Sequence, residues 1–236
     1  MTEGVTEKTI GEFVAEDYRT ASVFEKHGID FCCGGMVTLA SVCRERGLDC
    51  PSLVKELEGA KAAPIDRSQN YNSWELPFLA DYIINTHHAY LKENVESIAA
   101  YTGKIAEVHG NRHPELIRIN EMFAKIATDL MAHLEEEETV LFPAVRSIDS
   151  ARKTRNETDP KETAVITASL ERLNREHEEV GEAIHEIRKL ANDFQVPEDA
   201  CTTYALTYRK LKEFEDDLHK HVHLENNILF PKAVRT

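Results

Sequence analysis

No basic stretch followed by an apolar run opens the sequence MTEGVTEKTIGEF, so no signal or transit segment is expected there. No apolar segment approaches the roughly 20 residues needed to cross a bilayer. No useful length alternates with period two, so no sheet is expected either. Basic residues are scarce: 28 Lys and Arg against 42 Asp and Glu leave a formal charge of −14, which argues against nucleic acid or an anionic membrane as partner. The five cysteines are an odd number and include the adjacent pair Cys32–Cys33, which fits a reducing compartment better than a disulfide framework. The cytoplasm is the expected location. What is present suffices for a real core, because 236 residues at 42% hydrophobic content can build one large or two modest domains.

The chain repeats itself. Residues 133–143 read HLEEEETVLFP and residues 221–231 read HVHLENNILFP, so His, Glu and Leu-Phe-Pro recur in step 88 positions apart. Ile126, Leu130, His133, Glu137 and Val140 share a helical stripe that Phe214, Leu218, His221, Glu225 and Ile228 repeat. Upstream, Ile84, His88, Leu91, Val95 and Ile98 are matched 89 residues later by Leu173, His177, Val180, Ile184 and Ile187. Four amphipathic segments, near 75–108, 114–146, 161–192 and 197–233, begin close to Pro77, Pro114, Pro160 and Pro197, where a missing N–H does least harm. Short connections predict an all-α, antiparallel four-helix bundle made by duplicating a helical hairpin, over residues 74–236. Residues 1–58 hold short helical patterns with stops at Gly28 and Gly47 and a start at Pro51, a small helical domain. Residues 59–73 are polar and aperiodic, which is expected of a linker.

Four histidines and two glutamates fall on the inward stripes, where unpartnered burial would cost several kcal/mol each. A His and a Glu four residues apart project side by side, so His133/Glu137 and His221/Glu225 each aim a nitrogen and a carboxylate at one point. His88 and His177 add nitrogens from the other two helices. Six ligands exceed one four-coordinate zinc, and two carboxylates can each bridge, so two metals are the economical solution. Imidazole with carboxylate suits iron, manganese or zinc. His87, beside His88 but off the stripe, is expected at the surface or in support of a ligand. Glu135, Glu136 and Glu138, with their counterparts His223, Leu224 and Asn226, read as solvated. Glu182 and His185 have ferritin-like spacing but no partner motif and lie off the stripe.

Two H-x-x-x-E motifs each followed by Leu-Phe-Pro, with one histidine on each remaining helix, resemble the hemerythrin-like di-iron bundle over about residues 75–234. The N-terminal part, with DFCCGG at 30–35, resembles the domain that precedes this bundle in bacterial iron–sulfur cluster repair di-iron proteins. The resemblance implies two iron ions, oxo-bridged, with Glu137 and Glu225 as bridges and two histidines on each iron. It implies repair or protection of iron–sulfur clusters after nitric oxide or oxidative damage, with damaged iron–sulfur proteins and nitric oxide or oxygen species as partners. Oxygen-carrying hemerythrins use a fifth bundle histidine, for which no inward candidate is evident here. That departure implies a more open, labile centre.

Glycines after Cys32–Cys33 and a helix expected from near Met36 would lower the thiol pKa values and make the pair reactive, a candidate catalytic or relay site. Two small buried hydrophobes, or a four-cysteine metal site with Cys43 and Cys50, are the other readings. Cys201 is expected to pack in the first turn of the last helix. Iron donation to damaged clusters, nitric oxide reduction at the two irons, and oxygen or redox sensing all stay open, as does pairing into a homodimer. Whether the chain is an enzyme is open with them.

Overall fold

The computed structural model describes residues 3–62, 70–154 and 160–234. Among them the chain is helical, with one isolated antiparallel bridge between Thr9 and Thr38 and no strand. It divides into two compact units, Met1–Leu79 with Val222–Thr236, and Ala80–His221.

In the first unit, helices Ile10–Glu16, Ala21–Lys26, Leu39–Arg46 and Cys50–Lys61 bury Ile10, Phe13, Phe24, Phe31, Leu39 and Leu57. Their limits follow local chemistry. Thr9 and Glu12 form a reciprocal capping box, Thr38 and Asp49 accept from Ser41 and Ser52 amides, and Pro51 lies in the first turn it was expected to open. Gly28 and Gly47 end their helices at φ 63° and 64°, the left-handed conformation expected of them. Residues 63–69 of the expected linker lie outside the described residues. Gly59–Lys61 continue the fourth helix, and Tyr71–Ser73 form a 3₁₀ turn.

The four long helices are present. The first runs through Leu76–Tyr82, Ile83–His88 and Ala89–His109; the second through Glu115–Glu136, Glu137–Leu141 and Phe142–Thr154. The third is Pro160–Leu190, and the fourth passes through Thr202–Leu224, Glu225–Leu229 and Phe230–Val234. Hydrogen bonds at both ends of the first pair, Thr102 to Asn120 at 3.0 Å and His88 to Glu138 at 2.9 Å, show that the helices run antiparallel. The fourth helix starts five residues later than its proline suggests. Asn192, Asp193 and Phe194 take φ of 49°, 55° and 58°, and Pro197–Ala200 closes a turn.

Three of the helices contain a π segment, Ile83–His88, Glu137–Leu141 and Glu225–Leu229. Proline explains the last two. Pro143 and Pro231 cannot donate to the carbonyl four residues back and their rings crowd it. The preceding amides, of Phe142 and Phe230, reach five residues back to the carbonyls of Glu137 and Glu225. The wider turn inserts a residue and shifts the stripe. Val140, expected inside, is 43% exposed, and Leu141 takes the buried place.

Candidate metal centre

The residues singled out by the repeat converge. Within Ala80–His221, His88, Glu137 and His221 bring one ligand atom each within 4.8 Å of one another, and so do His133, Glu137 and His177. The Glu137 carboxylate therefore belongs to both groups. All six side chains are buried. Within Ala80–His221, the Nε2 atoms of His88 and His221 face each other at 3.1 Å, and those of His133 and His177 at 2.9 Å. Glu137 sits among them, 3.3 Å from His133 Nε2, 3.5 Å from His88 Nε2 and 3.9 Å from His221 Nε2. Glu225 follows His221 by one turn of the same helix, and each acid opens a π segment.

Neither Glu137 oxygen accepts a hydrogen bond among the described residues. A carboxylate fully removed from water without donors costs several kcal/mol, and a cation is the group that offsets it. The imidazoles are set for the same ligand. His88 Nδ1 is 2.9 Å from Glu138, which Lys92 holds at 2.6 Å, and His133 Nδ1 is 2.7 Å from Glu176. A carboxylate on Nδ1 fixes the proton there and leaves Nε2 as a bare donor pair aimed inward. The residues fit two cations of the imidazole–carboxylate class.

Glu138 and Glu176 are the functional side chains that sequence reasoning missed. Half-exposed charged positions on a helix read as solvated, and only Glu176's place immediately before His177 hinted otherwise. Lys92 and His88 hold the Glu138 carboxyl below its usual range against the opposing effect of burial. His87 is only 2% exposed, so its surface reading is corrected. It meets Asp217 through Nδ1 at 2.9 Å and lies parallel to the His221 ring at 6.4 Å, with burial pulling its pKa down. An inward fifth histidine therefore exists, engaged by Asp217 and outside both ligand groups. His223 and Leu224 are also fully buried rather than solvated.

A cavity of about 920 Å³ opens between the second and third helices and reaches His133, His177 and His221. Arg118, Lys125, Arg172 and Arg175 alternate along it with a larger number of acids, Glu176 among them. His88, at 0% exposure, is not part of its lining.

The double-cysteine loop differs from expectation. The helix after it starts at Leu39, not near Met36. The amides of Cys32 and Cys33 both donate to Asp30 Oδ1, at 2.8 and 3.0 Å, and the Cys32 thiol also lies 3.1 Å from that atom. The sulfurs are 3.7 Å apart as free thiols. The neighbouring Cys33 thiol, burial and Asp30 push the Cys32 pKa up, so the expected acidification fails at this residue. Asp30, Cys32 and Cys33 form a third group of candidate ligands, without Cys43 or Cys50. Burial, with Cys50 beside it, raises Cys43 to about 12. Cys201 is exposed instead of packed, and a hydrogen bond from His109 at 3.2 Å lowers it to about 7. Glu182 stands outside all these groups, whereas His185 meets Glu215 and His219, where Arg188 already grips Glu215 at 2.8 and 3.0 Å.

Residues 79–233 match the hemerythrin HHE cation-binding domain, and residues 6–61 match a domain of unknown function, the ScdA N-terminal domain. The iron-sulfur cluster repair protein ScdA of Staphylococcus epidermidis is 31% identical over 231 residues, 97% of this chain and 99% of that protein. The iron-sulfur cluster repair proteins YtfE of Dickeya chrysanthemi and Escherichia coli O157:H7 are each 28% identical, covering 97% of this chain and 97% of their own.

Proposed function

The chain belongs to the hemerythrin HHE cation-binding family, and from that premise we propose that it repairs damaged iron–sulfur clusters using two irons held in its bundle. The observation that carries the proposal is the pair of buried two-His groups that share the Glu137 carboxylate within Ala80–His221. His88 and His221 would hold one iron and His133 and His177 the other, with Glu137 common to both and Glu225, its counterpart in the repeat, in the same role. Bound iron supplies a redox-active, exchangeable cation that can rebuild a cluster or take nitric oxide. The chain's own part is to present bare Nε2 atoms, hold them there through Glu138 and Glu176, and leave one side accessible.

Access favours repair over the turnover of a gas alone. Nitric oxide needs a passage of a few ångströms, whereas about 920 Å³ ending on His133, His177 and His221 leaves room for a chelating group or a partner's side chains. Names of relatives with nearly full mutual coverage support the same reading. The matched spans, 6–61 and 79–233, support a division into a small helical domain and a bundle, with the linker beginning after Lys61 and not at residue 59. Cys32 and Cys33 act in the transfer step of this reading, which their position beside Asp30 as a small ligand group supports.

The test is reactivation of a cluster enzyme damaged by nitric oxide, measured against iron delivered per chain. Activity should return in proportion to protein iron and vanish with Glu137→Leu. Equal repair by that variant would contradict the proposal, and many turnovers of nitric oxide per chain with an added reductant would favour reduction instead.

A further inference from the structure

The residues two before and two after Glu225 grip the double-cysteine loop. His223 is fully buried, its ring edge-on to Phe31 with centroids 5.7 Å apart and tilted against Tyr18 at 5.9 Å. Asn227 Nδ2 lies 3.2 Å from the Phe31 carbonyl oxygen, 3.4 Å from that of Cys32 and 3.2 Å from His223 Nδ1. Its side chain enters a slot that two glycines leave open. A Cβ on Gly11 would stand 2.0 Å from Asn227 Oδ1, and one on Gly35 2.6 Å from the same atom. Gly11 N–H donates to the Gly35 carbonyl at 2.7 Å, which ties the two walls together. The second glycine of the Cys-Cys-Gly-Gly motif thus has a steric reason in Asn227 and in the Phe31 carbonyl, also 2.6 Å from such a Cβ, and not in the thiols. At the matching place in the other copy, Thr139 is exposed and bonds back to its own helix, at the Glu135 carbonyl. The ligand frame does not require an Asn there.

We propose that Asn227 is a positioning residue that fastens the Cys32–Cys33 loop to the turn carrying Glu225, so that opening the loop and loosening the Glu225 carboxylate are one event. Cys32 is 3% exposed, and its carbonyl is one of those that Asn227 holds. A reagent that reaches the Cys32 sulfur has to draw this backbone away and strip Asn227 of its acceptors. Asn227 lies within the π segment Glu225–Leu229 that Glu225 opens, so a pull on its side chain acts on the same turn. The loop contact stands on hydrogen bonds and sterics alone; its effect on metal rests on the reading of Glu225 as a ligand.

The full chain, metal-free and iron-loaded, is treated with an aromatic disulfide probe while peptide masses follow labelling at Cys32 and Cys33. Iron release to a coloured chelator is read in the same samples. The two contacts are long, at 3.2 and 3.4 Å, and together correspond to about a tenfold change in opening, so Asn227→Ala should label Cys32 about tenfold faster. Asn227→Asp, equal in size but without the donor, should do the same while helical content and melting show that it folds. Gly11→Ala should mimic Asn227→Ala, yet add much less in the Asn227→Ala background, where the clash at 2.0 Å is gone and only the tight approach to the Gly35 carbonyl at 3.0 Å remains. Labelling should speed iron release from the native chain and leave the already faster release of Asn227→Ala unchanged. Equal Cys32 labelling of native and Asn227→Ala protein, or equal acceleration of release in both, would overturn the proposal. If the purified chain held no iron, the two-iron reading would fall, and the labelling ratio in metal-free protein would alone decide the clamp.

Discussion

At 133–143 and 221–231 the chain carries one frame, His-x-x-x-Glu followed by Leu-Phe-Pro, in two different surroundings. The first copy is open: His133 and Glu136 line a cavity of about 920 Å³, Thr139 and Val140 are exposed, and Arg172 closes on Glu136 from the third helix. In the second copy every residue from His221 to Glu225 is buried, as are Ile228, Leu229 and Phe230, and His223 and Asn227 meet the double-cysteine loop. Both copies keep the His and Glu positions and the proline-driven π turn. The positions between them were free to become a mouth in one copy and a dock in the other.

The largest effect should come from what the copies share. Glu137→Ala should empty both metal positions, since its carboxylate belongs to both histidine pairs, and Glu225→Ala should do the same if its proposed role holds, whereas His88→Ala or His177→Ala should leave about one iron per chain. Metal analysis of the purified variants decides this, and a half-loaded Glu137→Ala protein would break the shared-carboxylate account. In metal-free protein the sign reverses: Glu137→Leu removes a carboxylate that has no hydrogen-bond partner and should stabilise the fold by roughly 1–4 kcal/mol. Denaturant titration in chelator measures it.

Next come the paired positions that the surroundings separate. Ile228→Ala, at 2% exposure, should cost about 2–4 kcal/mol, while Val140→Ala, at 43%, should stay within about 0.5 kcal/mol. Similar losses would mean that the two turns are equally covered. Glu138→Ala and Glu176→Ala each free one imidazole Nδ1 and should weaken metal binding about 10- to 100-fold, as read by competition with a chelator.

The smallest effect lies at the hairpin turns, where His113 in one copy is matched by Cys201 in the other. Hydrogen bonding from His109 holds the Cys201 pKa near 7, below the ordinary 9.0. The thiolate is the deprotonated form, so alkylation of Cys201 should rise with pH and reach half its maximum near pH 7. His109→Gln should move that midpoint upward without altering the fold.

Much of this was legible because the site residues differ in chemistry from a helix surface. Histidine, glutamate and proline in a fixed frame cannot be mistaken for solvated polarity, and apolar stripes gave the four helices around them. What stayed hidden was non-local or sub-register. The buried state of His223 depends on Phe31 and Tyr18, far away in sequence, and no period within the helix reports it. Leu141 turns inward in the first copy because Pro143 forces a wide turn, while Val140 stays exposed where its counterpart Ile228, after the same turn, is covered; the motif shows the prolines but not the neighbours that decide which residue is covered. Glu138 and Glu176 were hidden by being charged and half-exposed, the ordinary state of a helix face. The Cys32 acidity was misjudged by placing the next helix three residues early, which put dipole and amides at the thiols where Asp30 stands instead.

The most direct test of the central claim is metal content of the freshly purified chain beside that of His133→Ala and His87→Ala. The account predicts about two irons per native chain, loss of about one of them with His133→Ala, and near-native loading with His87→Ala, whose imidazole is engaged by Asp217. A native chain with one metal or none, or a His87→Ala protein that loses iron while His133→Ala keeps it, would contradict the two-iron centre built on the duplicated frame.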